Sequence, residues 1–296
     1  MSHHHCHHDT QTMGDRRLVL AVAVNVGLTA VQVLGGLMSG SLSLVADALH
    51  NLSDAASLAI ALVARKIGRK PADAHKTFGY KRAENIAALI NLVSLVIIGL
   101  FLVGQALKRF FAPEPIAGWL VIGVAAVALL VDLVTAWLTF RMAQHSSNIK
   151  AAFLHNITDA LASVAVIVSG SLILLYGWVW TDAALTLLIA GYVLWHAGAM
   201  LPQTIHLLME GTPEGLDRQE VIKAMEATPG VENVHHVHIW QLDEHRIALE
   251  AHVVVTSPDL PALENLKGDL KSLLSAQFEI QHSTLEFEYE SRRCNK

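Results

Sequence analysis

The sequence predicts an α-helical membrane protein with six transmembrane helices, followed by a small cytosolic α/β domain. Its 296 residues are 53% hydrophobic and only 16% charged, with a mean hydropathy of +0.42, which is too apolar for a soluble globule. Six apolar runs are long enough for the roughly 20 residues that a membrane-spanning helix needs. Beyond residue 207 the apolar runs shorten and charges return. These features predict a tail at 1–16, a membrane domain at 17–207 and a terminal domain at 208–296.

Basic residues between the spans predict the orientation of the chain. The predicted spans are Leu18–Met38, Leu42–Ala64, Ile86–Leu107, Trp119–Met142, Ala151–Tyr176 and Ala183–Leu201. The loop from Arg65 to Arg82 carries seven Lys and Arg residues, which is typical of a loop that stays in the cytosol. Lys108 and Arg109 are the exception to this distribution. An even number of spans returns both termini to the cytosol.

The first fifteen residues contain a run of histidines interrupted by a cysteine, with His5, Cys6 and His7 at its centre. Two interpretations stay open, a purification tag and a flexible, low-affinity metal collector. The second cysteine, Cys294, lies at the opposite end of the chain. Two such distant cysteines form no disulfide framework and fit a reducing compartment.

One short motif occurs twice inside the apolar runs, as His50 with Asp54 and as His155 with Asp159. On a helix, residues four apart point to the same side, so each motif offers an imidazole nitrogen and a carboxylate oxygen to one volume. Ionisable groups at bilayer depth cost about 2.5 to 3.5 kcal/mol each on insertion scales, so such groups are expected to be functional. Two facing motifs make a four-ligand site of the kind that zinc favours.

The depths of the two motifs agree with this interpretation. Three crossings separate the second and fifth spans, so the two helices run antiparallel. At 1.5 Å per residue, Asp54 lies about 18 Å below the outer end of its span and Asp159 about 12 Å above the inner end of its own. In a core of about 30 Å these levels coincide. Asp47 is predicted either to relay protons or to cap a neighbouring helix, and Asp132 is similarly open, with interhelical hydrogen bonding favoured for it.

The terminal domain has the pattern αββαβ, which predicts an open sheet with two helices on one face. The predicted elements are a helix at Leu216–Ala227, strands at Val231–Gln241 and Arg246–Val255, a helix at Leu260–Ser275 and a strand at Phe278–Tyr289. Histidines are dense in or beside the strands, at His235, His236, His238, His245, His252 and His282. Strand alternation points His252 away from the apolar set that contains Leu249 and Val253. We expect the cluster as a whole to bind metal.

The chain resembles the cation diffusion facilitator family. The resemblance is carried by the paired His and Asp motifs, by TFGYKRAE at Thr77–Glu84 and by VHHVHIW at Val234–Trp240. It implies a metallochaperone-like terminal domain and a homodimer in lipid, in the bacterial inner membrane, that exports metal in exchange for protons. Histidine on both helices is similar to the zinc-preferring branch, with zinc as substrate and regulator.

The resemblance also implies roles for individual residues. The transport site maps onto His50, Asp54, His155 and Asp159, a structural charge pair onto Arg82 and Glu210, and the terminal-domain ligands onto His235, His252, His282 and Glu288. The tail residues His5, Cys6 and His7 map onto a further possible ligand set. In the loop after the second span, Tyr80 stands where relatives use a histidine, and only Asp73 and His75 remain of that metal site.

The leading hypothesis is therefore a secondary transporter that exports zinc, with cadmium or other divalent cations as further candidate substrates, in exchange for protons. Imidazole must lose its proton before it binds metal, so metal and protons compete for the same ligands. A membrane-anchored metal sensor and an intramembrane metallohydrolase are the alternatives. Four inward ligands leave no open position for a hydrolytic water, and no GxxxxGK[ST] loop is present for ATP, so we expect neither an enzyme nor an ATP-driven pump. We expect no nucleic-acid partner.

Overall fold

Within the described residues, six helices overlap the six predicted spans. The computed structural model describes residues 26–143, 147–243, 246–256 and 259–289. The helices are α1, described over Val26–Ser39, then α2 Leu42–Gly68, α3 Ala83–Phe111, α4 Gly118–Ala143, α5 Ser147–Tyr176 and α6 Trp180–Leu208. Several are longer than the apolar runs because basic residues continue the last turn, such as Arg65 and Lys66 in α2.

The apolar content of these helices makes the chain a multi-pass membrane protein. Among the described residues, four helical segments are long and apolar enough to cross a bilayer: Ala83–Phe111, Gly118–Trp137, Asn156–Tyr176 and Trp180–Leu208. The helix α2 has the length, at 27 residues, but Asp47, His50 and Asp54 lower its apolar content. Large apolar side chains such as Leu100 and Phe101 are more than half exposed, as suits surfaces that lipid covers.

The chain divides into two compact units. The first contains the described residues up to Leu62 and those from Ile90 to Met200, and the second contains Val63–Leu89 and the residues from Leu201 onward. Small side chains fill much of the first unit's interior, which lets its helices approach closely. At Gly35 a Cβ atom would lie 2.6 Å from a methyl group of Val124, so only glycine fits there.

Arg109, the exception to the distribution of basic residues, is used locally at the turn between α1 and α2. Its guanidinium donates to the carbonyl of Gly40 and lies 3.2 Å from the Glu114 carboxylate. Gly40 adopts a φ of +74°, a conformation that favours glycine. The charge of Arg109 therefore fastens α3 to this turn.

The C-terminal unit contains the predicted αββαβ arrangement. Its elements are α7 Arg218–Glu226, β1 Val231–Asp243, β2 Arg246–Val255, α8 Leu260–Phe278 and β3 Ile280–Glu288. The sheet order is β1-β2-β3, with β1 antiparallel and β3 parallel to the central β2. Both helices cover one face, where Val221, Leu249, Val253, Leu270 and Leu274 form a buried core.

The other face of the sheet carries the histidines because β1 contains a bulge. The register shifts between His235 and His238, and His236 within the shift adopts a φ of 54°. His235 therefore pairs with His252 and His238 pairs with Glu250. Strict alternation would place two residues three positions apart on opposite faces, whereas one extra residue returns both to the same face.

Candidate metal-binding sites

The first candidate site lies between α2 and α5. His50 Nε2 is 3.7 Å from Asp54 Oδ2 and 3.8 Å from Asp159 Oδ1. A ligand atom from each of the three residues lies within 4.8 Å of the other two. The Asp159 side chain is 10% exposed and that of Asp54 is 31% exposed, so the group opens on the Asp54 side.

These separations suit a small divalent ion. Zinc bonds to nitrogen and oxygen are about 2.0 to 2.2 Å long, and tetrahedral geometry then separates two ligands by about 3.4 Å. The observed 3.7 and 3.8 Å exceed that value by a few tenths of an ångström. Small side-chain rotations would close the gap. His155 lies on α5 one turn before Asp159, but its side chain lies outside the described part of the structure.

Asp47 and Asp132, two further acids in the spans, both have hydrogen-bond partners on neighbouring helices. Asp47 accepts a hydrogen bond of 2.7 Å from the side-chain amide of Gln32, and Gln32 in turn accepts one from Asn51. Ser163 of α5 donates to Asp132 at 3.2 Å. Both acids are buried, at 2% and 7% exposure. These bonds join α1 to α2 and α4 to α5, which is the favoured role for Asp132.

The second candidate site lies on the helix-free face of the C-terminal sheet. His252 Nδ1 is 2.6 Å from Glu288 Oε1, and His235 Nε2 is 3.3 Å from Glu288 Oε2. The rings of His235 and His252 lie 5.4 Å apart. These residues form a second group close enough to hold a metal ion. We call His235, His252 and Glu288 the sheet cluster.

Glu286 was not singled out by the sequence, although strand alternation could have found it. It lies two residues before Glu288, so both side chains point to the same face of β3. Its Oε2 atom is 3.5 Å from His252 Nε2. The imidazole of His252 therefore lies between two carboxylates, those of Glu286 and Glu288.

The structure does not bring His282 into the sheet cluster. The parallel register pairs His282 with Ala248 and Glu286 with His252. Four strand residues separate the two positions, which is about 13 Å along β3. The ring of His282 instead packs edge-on against Phe78, with centroids 5.7 Å apart. Within a single chain His282 thus lies apart from His235 and His252, and its expected role as a metal ligand stays a prediction.

The predicted charge pair between Arg82 and Glu210 is formed, at 3.0 Å. A second pair, Lys81 with Asp243, lies beside it at 3.3 Å. Glu210 follows the end of α6 and adopts a φ of 60°, a left-handed conformation that residues other than glycine rarely adopt.

The loop between α2 and α3 is organised by Asp73. Its Oδ1 atom accepts from the backbone N–H groups of His75 and Lys76, and its Oδ2 atom accepts from the Tyr80 hydroxyl at 2.6 Å. The Tyr80 hydrogen bond is the largest cause that lowers the pKa of Asp73, and the same bond raises the pKa of Tyr80. Both carboxylate oxygens of Asp73 thus have protein donors.

We expect the order of this loop to be unchanged between about pH 5 and pH 9. Because the pKa of Asp73 is lowered in the ordered loop, its hydrogen bonds stabilise the loop at pH values above the ordinary carboxyl pKa, and this stability is lost only in acid. Because the pKa of Tyr80 is raised, its contribution is present below the ordinary phenol pKa and is lost only in strong alkali. Amide hydrogen exchange at His75 and Lys76 measures this order, after correction for the intrinsic pH dependence of exchange. Tyr80→Phe should reduce protection at every pH in that range, and a transition near neutral pH in the parent would contradict the assignment.

The remaining predicted ligands lie outside the described residues. His5, Cys6, His7 and Cys294 belong to the two chain ends, and His245 lies between the last residue of β1 and the first of β2 in the sequence. Their assignments stay predictions.

Two family profiles match the chain. The cation efflux transmembrane domain matches residues 18–209, and the cation efflux protein cytoplasmic domain matches residues 213–290. The first match covers the site between α2 and α5, and the second covers the sheet cluster.

Curated relatives match over nearly the whole chain. A zinc transporter ZitB of Pectobacterium atrosepticum is 37% identical over 100% of this chain and 91% of its own length, and the ZitB of Escherichia coli is 36% identical over 98% and 93%. A cadmium, cobalt and zinc/H(+)-K(+) antiporter of Bacillus subtilis is 34% identical over 96% and 92%. The solved metal-bound C-terminal domain of the CzcD transporter from Cuprividus metallidurans is 41% identical over 25% of this chain and 99% of that one, with a TM-score of 0.23.

Proposed function

Because this chain belongs to the cation efflux family, we propose that it exports zinc, and other divalent cations such as cadmium, from the cytosol in exchange for protons. The observation that carries the proposal is the group of His50, Asp54 and Asp159 inside the helical unit, spaced for one small divalent ion. Zinc is the substrate of this site. The relatives' names supply cation efflux and antiport, and they favour neither a metal sensor nor a metallohydrolase.

His155 completes the proposed site as its fourth ligand. It lies on the same helix as Asp159, four positions earlier, and residues four apart in a helix share one side. Two neutral imidazoles and two carboxylates balance the charge of a divalent ion without a further counterion. This ligand set favours zinc over ions that prefer oxygen alone.

Proton exchange follows from the chemistry of these ligands. An imidazole that has released zinc can bind a proton, and it must lose that proton before the next ion binds. If the site opens alternately to the two sides of the membrane, zinc leaves on one side and protons return on the other.

The sheet cluster is proposed as a regulatory zinc site in a homodimer. Two C-terminal domains that meet at a dimer axis can share zinc, and each bound ion then stabilises the joined arrangement. The basic loop between α2 and α3 supports a cytosolic location for both termini. The boundary between the membrane domain and the C-terminal domain is placed at residues 207 and 208, near the end of α6. The bacterial inner membrane is the proposed location.

Zinc-driven proton flux in vesicles that contain only the purified protein and lipid tests the proposal. A zinc gradient should move protons in the opposite direction, and an imposed pH gradient should move zinc, because one site carries both ions. A fluorescent pH indicator and a zinc indicator inside the vesicles measure the two fluxes. Zinc movement without any proton movement would reject antiport, and the absence of both would reject the transport function.

A further inference from the structure

The first turn of α6 contacts both helices that carry the proposed zinc ligands. Asp182 bonds to the start of α2, and its neighbour Thr181 bonds to α5. Neither residue belongs to the zinc site, and Asp182 is 1% exposed. A buried carboxylate needs partners that offset the cost of its desolvation.

Asp182 accepts four hydrogen bonds from three consecutive residues. The hydroxyls of Ser41 and Ser43 donate to Oδ1 at 2.6 Å each, the Ser43 N–H donates to the same atom at 3.2 Å, and the Leu42 N–H donates to Oδ2 at 2.7 Å. Ser41 Oγ also accepts from the Leu44 N–H at 3.1 Å. The free N–H groups of the first turn of α2 are thereby satisfied, two of them by a side chain of α6. The helix dipole of α2 adds to the attraction.

The link to α5 is formed by Ser169. Its hydroxyl donates to Thr181 Oγ1 at 3.2 Å, and both residues are buried. Thr181 in turn donates to the carbonyl of Trp178 at 2.7 Å, which fixes its side-chain rotamer. Thr181 and Asp182, which we call the α6 clamp, therefore hold α2 and α5 at adjacent points.

The clamp lies at the same distance from the proposed ligands on both helices. Eleven residues separate Ser43 from Asp54, which is about 16 Å along α2, and ten separate Ser169 from Asp159, which is about 15 Å along α5. The two helices are antiparallel, so both distances run the same way from the zinc site. A helix is stiff over about three turns, so the spacing set at the clamp is transmitted to the ligands.

We propose that Thr181 and Asp182 are positioning residues that set the separation of α2 and α5, and through it the affinity and metal preference of the zinc site. This inference rests on the proposed function, because it takes His50, Asp54, His155 and Asp159 as the transport ligands. Ligands in different helices hold a metal tightly only when their separation is fixed to a fraction of an ångström.

The test measures zinc and cadmium binding to folded, full-length protein in a His252→Ala background, so that binding at the zinc site is isolated from the sheet cluster. Asp182→Asn keeps the shape of the side chain but replaces one acceptor oxygen with a donor that opposes the α2 N–H groups. We expect the zinc Kd to rise about tenfold or more, as when groups that orient ligands are removed. Discrimination between zinc and the larger cadmium ion should fall.

Two serines of α5 supply a matched comparison. Ser169→Ala removes the link to Thr181 and should raise the zinc Kd in the same direction, by a smaller factor. Ser171→Ala removes a hydroxyl that bonds only within α5, to the carbonyl of Ile167, and should leave the Kd unchanged. A merely destabilised protein has fewer folded molecules but the same Kd and the same zinc-to-cadmium ratio per folded molecule.

The possible outcomes separate the clamp from the proposed function. If Asp182→Asn does not fold, Ser43→Ala removes one side-chain donor while both backbone N–H donors remain, and a raised zinc Kd is still expected. Folded Ser43→Ala and Ser169→Ala proteins with the parental Kd and metal ratio would overturn the clamp. A parent in the His252→Ala background that binds no zinc would reject the transport site itself.

Discussion

Asp54→Ala and Asp159→Ala should each abolish zinc transport in vesicles while the protein still inserts and folds. Few ligands lie within reach of His50, and each carboxylate supplies one of them. An ion that loses this ligand finds no replacement in the surrounding lipid. Removal of an acid from bilayer depth should ease insertion, by about 2.5 to 3.5 kcal/mol on insertion scales. Zinc uptake into inside-out vesicles measures transport, and size-exclusion chromatography with circular dichroism measures folding.

The neighbouring residue Thr158 provides a control for these variants. Its hydroxyl donates to the Leu154 carbonyl within α5, and its side chain is exposed on another side of the helix. Thr158→Ala should therefore transport zinc at the parental rate. Parental transport by either aspartate variant would disprove the assignment of that residue to the transport site.

His252→Ala should remove about one zinc ion per protomer from the folded protein and weaken the activation of transport by cytosolic zinc. In the sheet cluster His252 contacts Glu288 and lies beside His235, so its loss leaves too few ligands to hold an ion. The transport site is separate, so zinc binding there should persist. Zinc content by atomic emission and transport rate against cytosolic zinc are the two measurements.

His282→Ala is the matched comparison, because it removes a histidine from the same face of the sheet but from outside the sheet cluster. Its zinc content should equal that of the parent. If His252→Ala retains the parental zinc content and activation curve, the regulatory role is disproved. If instead His282→Ala loses zinc, the ligand set assumed from the resemblance is correct and requires a dimer contact that brings His282 to the ion.

The sequence by itself determined the element order and the chemistry of the first site. Apolar runs of bilayer length need no tertiary information, because hydrocarbon forces each one to satisfy its backbone hydrogen bonds as a helix. The spacing of four residues between His50 and Asp54 likewise fixes their common side. In the terminal domain, strand β2 at Arg246–Val255 has the predicted bounds, and the alternation of Leu249, Ala251 and Val253 places them in the core.

Only the tertiary structure decided which distant groups meet. The bulge at His236 moves His238 to the face of His235, and no pattern of residue types marks where an extra residue enters a strand. The parallel register of β3 separates His282 from His252, because pairing between strands depends on how α8 returns the chain. Asp182 and Ser43 are 139 residues apart in the sequence. Their hydrogen bond forms because the packing of α6 against α2 buries a carboxylate and two backbone N–H groups, and buried polar groups need partners within the protein. Local sequence fixes which side of a helix or strand a residue faces, whereas tertiary packing fixes which residue of a neighbouring element it contacts.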